Sequence, residues 1–70
     1  RRSSNIAYAR HVAIYLTREL IQTSFPVIAT EFGGRDHTTA LYSYNKIVDL
    51  VESDRKTQTV VEEIRRNLGE

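Results

Sequence analysis

The sequence predicts an all-α fold, a small helical bundle, and three observations carry that expectation. Apolar residues recur at spacings of three and four along successive stretches of the chain. Nowhere does the strict apolar–polar alternation of a strand or a two-residue hairpin turn occur. The breaks between the apolar stretches carry helix-capping residues, Ser24, Asp36 and Ser53-Asp54. Seventy residues fit one small domain, residues 1–70, with a core only just large enough to fold alone.

Taken in order, Arg1 to Asn5 is short, polar and basic, and reads as an arm over residues 1–5 without a packing face. From Ile6 the pattern is helical, with Ile6, Ala9, Ala13, Leu16 and Leu20 as the apolar stripe. His11 and Arg18 fall opposite that stripe and Arg10 at its flank. Tyr8, Val12, Ile14 and Tyr15 lie outside it, as in a central helix contacted on several sides. Thr23-Ser24 ends this helix, and Ser24 caps the next. Pro26 sits in that helix's first turn, where its missing N–H removes no hydrogen bond. After Asp36 a long helix buries Ala40, Leu41, Tyr44, Ile47, Val48 and Val51. Thr39, Tyr42, Lys46 and Asp49 line its other side. A last helix, capped by Ser53-Asp54, packs through Val60, Val61, Ile64 and Leu68. Asp54 near its start and Arg65-Arg66 near its end both suit the helix dipole.

The stretch from Ile28 to Leu41 organises the rest. Ile28, Ala29 and Phe32 share one helical face. Gly33 can close that helix in a left-handed conformation, and Asp36 offers a carboxylate to the free N–H groups of the next. A short helix, a glycine turn and a second helix make a helix-turn-helix.

Composition narrows the possible partners. Without cysteine there is neither a disulfide framework nor a thiolate metal site. The longest apolar run, Val12 to Leu16, is far too short to span a bilayer, and no signal-peptide pattern opens the chain. A cytoplasmic protein is therefore expected. The start on Arg1-Arg2, with no Met, suggests a piece of something longer. The net charge of +1 hides an asymmetry, +3 over residues 1–46 and −2 over residues 47–70. Arg1, Arg2, Arg10 and Arg18 precede any acid, so a polyanion suits the first half, nucleic acid ahead of membrane. A solvated surface with charges sorted by chance accounts for the same asymmetry.

The segment Ile28-Ala29-x-x-Phe32-Gly33-x-Arg35-Asp36-His37-Thr38-Thr39, followed by Ser43 and Lys46-Ile47, closely resembles the signature of the C-terminal DNA-binding domains (domain IV) of bacterial DnaA replication initiators. Arg10 to Leu20 and Ser24-Phe25-Pro26 fit the same family pattern, and the resemblance weakens only after about Asp49. It implies a Trp-repressor-like helix-turn-helix that binds a short asymmetric A·T-rich duplex, the DnaA box, at a replication origin. By that resemblance Arg2 enters the minor groove, and Asp36, His37 and Thr38 face base edges in the major groove. Arg10, His11, Arg18, Pro26, Arg35, Thr39 and Lys46 lie along the phosphates. The family's ATP-binding module, a glycine-rich loop with Lys-Ser/Thr, has no counterpart here, so no ATPase activity or cofactor is expected of this piece, and without a cluster of His, Cys or carboxylates no metal is expected either.

Elementary chemistry agrees. Recognition helices present their N-terminal residues to bases; a carboxylate there accepts from cytosine N4, and a threonine methyl meets the thymine methyl. An arginine arm suits a narrow A·T minor groove, and helix-start N–H groups around Phe25-Pro26 suit a phosphate. Each residue also has a plainer role. Asp36 caps a helix with or without DNA, His37 and Thr38-Thr39 serve as ordinary first-turn residues, and Arg1-Arg2 as a solvated tail. Tyr42 and Tyr44 could stack on bases, although Tyr44 lies on the apolar face.

Two departures from the family pattern stand out. Ala40 replaces a branched aliphatic residue, which predicts looser packing behind the recognition helix, and Asn45 replaces a frequently basic one. Two other functions fit the same fold. One is a transcription regulator's helix-turn-helix, which would bind a palindrome as a dimer, whereas the absence of a heptad seam here favours one monomer per site. The other is a protein-interaction module using Thr39, Tyr42, Lys46 and Asp49. No nucleophile–base or carboxylate pair suggests an enzyme.

Overall fold

The computed structural model describes residues 2–34 and 36–69, with the backbone alone for residues 2–4. Four helices follow one another: α1 (Arg2–Ile21), α2 (Phe25–Glu31), α3 (His37–Ser53) and α4 (Arg55–Asn67). Among the described residues there is no strand.

Local chemistry sets the boundaries. The Ser24 side chain accepts the Val27 N–H, Asp36 accepts that of Thr38, and Asp54 accepts that of Thr57 at 3.0 Å, so each of the last three helices starts on a capping side chain. α1 stops at Ile21, two residues before Thr23, because Gln22 takes a left-handed conformation with φ 63°. At the other end α1 begins at Arg2, so residues 2–5 continue the helix backbone where the sequence suggested a separate arm. No Pro or Gly interrupts Arg2-Ser3-Ser4-Asn5.

α3 is the hub, packed along α1 on one side, α2 on another and α4 on a third. Val12, Tyr15 and Leu16 of α1 meet Ile47 of α3 and Val61 of α4 in the larger core cluster. Ile14 of α1, Ile28 and Ala29 of α2, and Ala40 of α3 form the second. Tyr44 bridges both, stacked on Tyr15 with ring centroids 5.5 Å apart and edge-on to Phe25. Its hydroxyl donates to Glu19 at 2.6 Å, and Arg65 reaches the same carboxylate at 3.7 Å, so α1, α3 and α4 meet on one acid.

The buried face of α1 is rotated from the expected stripe. Ile6 and Ala9 are exposed, because the first turns of α1 project past the core, while Val12, Ile14 and Tyr15 are buried. Leu41 on α3 and Leu68 at the end of α4 are also exposed, whereas two polar residues, Ser43 and Thr57, take fully buried positions. No helix is long and apolar enough to cross a membrane among the described residues.

Candidate nucleic-acid interface

The interface grows out of the α2–α3 junction. Ile28 and Ala29 lock α2 against α1 and α3, and the half-buried Phe32, which caps its C-terminal end, packs against the same cluster. Gly33 and Gly34 follow with φ of 137° and 71°, both in the region closed to most side chains, and the Gly34 N–H closes the helix on the Ala29 carbonyl at 2.8 Å. The chain thereby reverses within a few residues, and α3 starts beside the end of α2.

Asp36 sets that start. Its Oδ1 accepts the Thr38 N–H at 2.9 Å and also the Thr38 hydroxyl, while the Thr39 N–H donates to the Asp36 carbonyl at 3.2 Å. The bonds to the carboxylate, the Thr38 hydroxyl's first and then its N–H, hold the carboxyl below its ordinary value of 3.8, so it is ionised at neutral pH. A carboxylate has about four lone-pair sites, and with Asp36 exposed the remaining ones face solvent. His37, Thr38 and Thr39 are exposed beside it on the first turn of α3.

α1 supplies the flank. Arg10 donates through Nη2 to the Phe32 carbonyl, the last of α2's capping backbone, so a phosphate-facing candidate also fastens the turn. Arg10, Ile14, Ala29, Phe32, Asp36, Thr39 and Ala40 line a cleft of about 20 Å³, and Ala40 itself is buried against Ile14, Ile28 and Ala29. One turn along, the His11 Nδ1 and the Ser43 Oγ are 2.8 Å apart, and the His11 ring meets Tyr42 edge-on at 5.8 Å. Burial first, then the positive charges of Lys46 and Arg10, hold the imidazole below its ordinary 6.5. Arg10 and Lys46 thus both act on His11, which lies between the start of α3 and its third turn.

Arg18 lies apart, at the entry to α2. Its guanidinium sits 4.5 Å above the Phe25 ring and donates to the Thr23 carbonyl at 2.6 Å, next to the exposed Pro26. Of Arg2 only the backbone is described, at the first position of α1, and Arg35 lies outside the described residues.

Residues 1–47, from the N-terminus into the middle of α3, match the family described as bacterial dnaA protein helix-turn-helix. The chain belongs to the DnaA helix-turn-helix family. It is 47% identical over 66 residues to the chromosomal replication initiator protein DnaA of Lactococcus lactis subsp. cremoris (strain MG1363), and equally to that of Lactococcus lactis subsp. lactis (strain IL1403). Each alignment covers 94% of this chain and 14% of the relative's length. The DnaA family match closes in α3, but 66 aligned residues in a chain of 70 also reach into α4.

Two supports of the DnaA-like site escaped the sequence analysis. Ser43 stood in the family signature, but its role under His11 had no separate signal beyond its position. It lies three residues after Ala40 and four before Ile47, a polar residue on an apolar stripe. The Phe32 carbonyl that receives Arg10 had no signal, since backbone acceptors are invisible in residue types.

Proposed function

We propose that this chain binds double-stranded DNA sequence-specifically, at DnaA boxes of a replication origin, one monomer per box, and so serves the initiation of chromosomal replication in the bacterial cytoplasm. The name of the Lactococcus lactis relatives, chromosomal replication initiator protein, supports the process. The observation that carries the reading is the exposed first turn of α3. Asp36, His37 and Thr38 stand in solvent at a helix start whose rear, Ala40 and Ser43, is packed into the core.

In this proposal α3 enters the major groove by its N-terminus, and Asp36, His37 and Thr38 address base edges. Arg10, His11, Arg18, Pro26, Arg35, Thr39 and Lys46 address phosphates, positioning the helix without reading sequence. Arg2, at the start of α1, addresses the adjacent minor groove, where an A·T-rich site offers a strong negative potential.

A binding titration of this chain on a DnaA-box duplex and on a scrambled duplex of equal length tests the proposal. Preference for the box, with one chain per box by sedimentation, supports it. Equal affinity for the two duplexes, or an obligate dimer on one box, refutes it. A dimer on a palindrome would point to a transcription regulator.

A further inference from the structure

The geometry points to Ser43 as a positioning residue that holds His11 as a neutral donor, its Nε2–H directed at a DNA phosphate. This rests on the DNA-binding proposal above and adds a role for a buried side chain that touches no DNA.

Ser43 is 1% exposed on the core side of α3, and its hydroxyl has one described side-chain partner, the His11 Nδ1 at 2.8 Å. A neutral imidazole has one donor and one acceptor nitrogen, so the bond that Nδ1 makes decides what Nε2 presents. When the serine hydroxyl donates to Nδ1, the proton of the ring resides on Nε2. The two ring nitrogens point away from each other, so an Nδ1 turned towards buried Ser43 leaves Nε2 turned from the core. His11 is half-buried, and its Nε2 makes no hydrogen bond among the described residues.

The surroundings favour the neutral ring. Lys46 from α3 and Arg10 from α1 act on it with positive charge, and Tyr42 from α3 lies edge-on at 5.8 Å. Those cations also draw a phosphate to the spot where the Nε2–H can donate. His11 thus adds direction to a cluster whose charge comes from Lys46 and Arg10.

A double-mutant cycle in box binding at pH 8, with thermal melts on each variant, tests this. His11→Ala is expected to weaken binding about tenfold, the loss of one hydrogen bond to a charged acceptor, and Ser43→Ala by about threefold or more. The double variant should bind no worse than His11→Ala alone. Losses that multiply, or a Ser43→Ala chain that binds as tightly as the unaltered one, would overturn the assignment. Should Ser43→Ala fail to fold, nitrogen-15 NMR of the unaltered chain still decides. A proton on Nε2 at pH 8 supports the proposal, and a proton on Nδ1 sinks it. Failure of the unaltered chain to prefer box over scrambled duplex would instead defeat the DNA-binding proposal itself.

Discussion

The Tyr8 hydroxyl on α1 and the Thr57 hydroxyl on α4 lie 2.9 Å apart, 49 positions from each other in the chain. The Thr57 O–H donates to Asp54 Oδ2 at 2.7 Å, so it is the Tyr8 O–H that donates to Thr57. Thr57 is fully buried, and this relay ties the start of α4 to α1. Tyr8→Phe should cost about 1 kcal/mol in urea unfolding, one net hydrogen bond. Thr57→Val keeps the shape but takes a partner from both Tyr8 and Asp54, and should cost about 1–3 kcal/mol. Neither change touches the α2–α3 junction, so affinity for the box measured well below the melting temperature should stay within about twofold.

The two turn glycines should respond differently to substitution. A Cβ on Gly34 meets nothing within 4 Å, and its φ of 71° is one that Asn also adopts. A Cβ on Gly33 would sit 3.0 Å from Arg10 Nη2 at φ 137°, so it faces both backbone strain and the arginine that fastens the turn. Gly34→Asn should change stability by less than about 1 kcal/mol, whereas Gly33→Ala should cost more than about 1 kcal/mol. Equal melting temperatures for the two variants would contradict this.

Arg10 and Lys46 should separate for the same reason. Lys46 is exposed, so Lys46→Ala should weaken box and scrambled duplexes by similar factors and lower the salt slope by about one unit. Arg10→Ala should do the same and also lower the melting temperature, because the Phe32 carbonyl loses its donor. An Arg10→Ala chain with unchanged stability would mean that the contact to Phe32 contributes nothing in solution.

Three kinds of group set the pH dependence of folding. The His11 imidazole is held below 6.5, so the folded chain resists protonation that the unfolded chain accepts, and stability falls as pH drops below 6.5 towards the lower folded value. Asp36 and Asp54 are held below 3.8 by their capping bonds. Their contribution is intact above 3.8 and is lost as pH falls through their folded values. The Tyr44 hydroxyl, donating to Glu19 and partly buried, is pushed above 10.0, so its stabilisation is lost as pH rises beyond 10.0. Melting temperatures should therefore be highest between about pH 7 and 10. His11→Gln should remove the first decline below pH 6.5 while leaving the decline below pH 4; persistence of the first step in that variant would assign it elsewhere.

The legible parts of the molecule are those decided within a few residues. Ser24, Asp36 and Asp54 each cap the helix they precede, because a cap needs only its own side chain and an N–H two or three positions on. The Gly33-Gly34 turn is equally local. Burial was legible only where neighbours exist on the expected side. Ile6 has the right spacing but stands on turns of α1 that extend beyond the core, and Leu68 lies past the last residue of α4. Ser43 and Thr57 show the converse. A hydroxyl can occupy an apolar stripe when another helix brings it a partner, here His11 and Tyr8, and no spacing rule within one helix reveals the meeting. The same limit hid the fastening of Arg10 to Phe32. At the candidate site, the family resemblance named the residues proposed to address phosphates and bases, while the supports beneath them, Ser43 and the Phe32 carbonyl, come from tertiary packing.

Asp36 should act both as cap and as reader, and two substitutions separate the roles. As cap it accepts the Thr38 N–H at 2.9 Å, which is worth typically about 1 kcal/mol. As reader its remaining lone pairs would accept from a cytosine or adenine amino group, worth roughly 1–3 kcal/mol of discrimination. Asp36→Asn keeps the oxygen that caps, since Asn caps about as well as Asp, but it removes the charge and places an NH2 donor towards the base. Asp36→Ala removes both roles. The Asn variant should therefore melt close to the unaltered chain yet lose its preference for box over scrambled duplex, while the Ala variant should lose about 1 kcal/mol of stability along with the preference. Differential titration and thermal melts on the two variants read the roles independently. Full discrimination by the Asn variant would reduce Asp36 to a cap and shift sequence reading onto His37, Thr38 and Arg2.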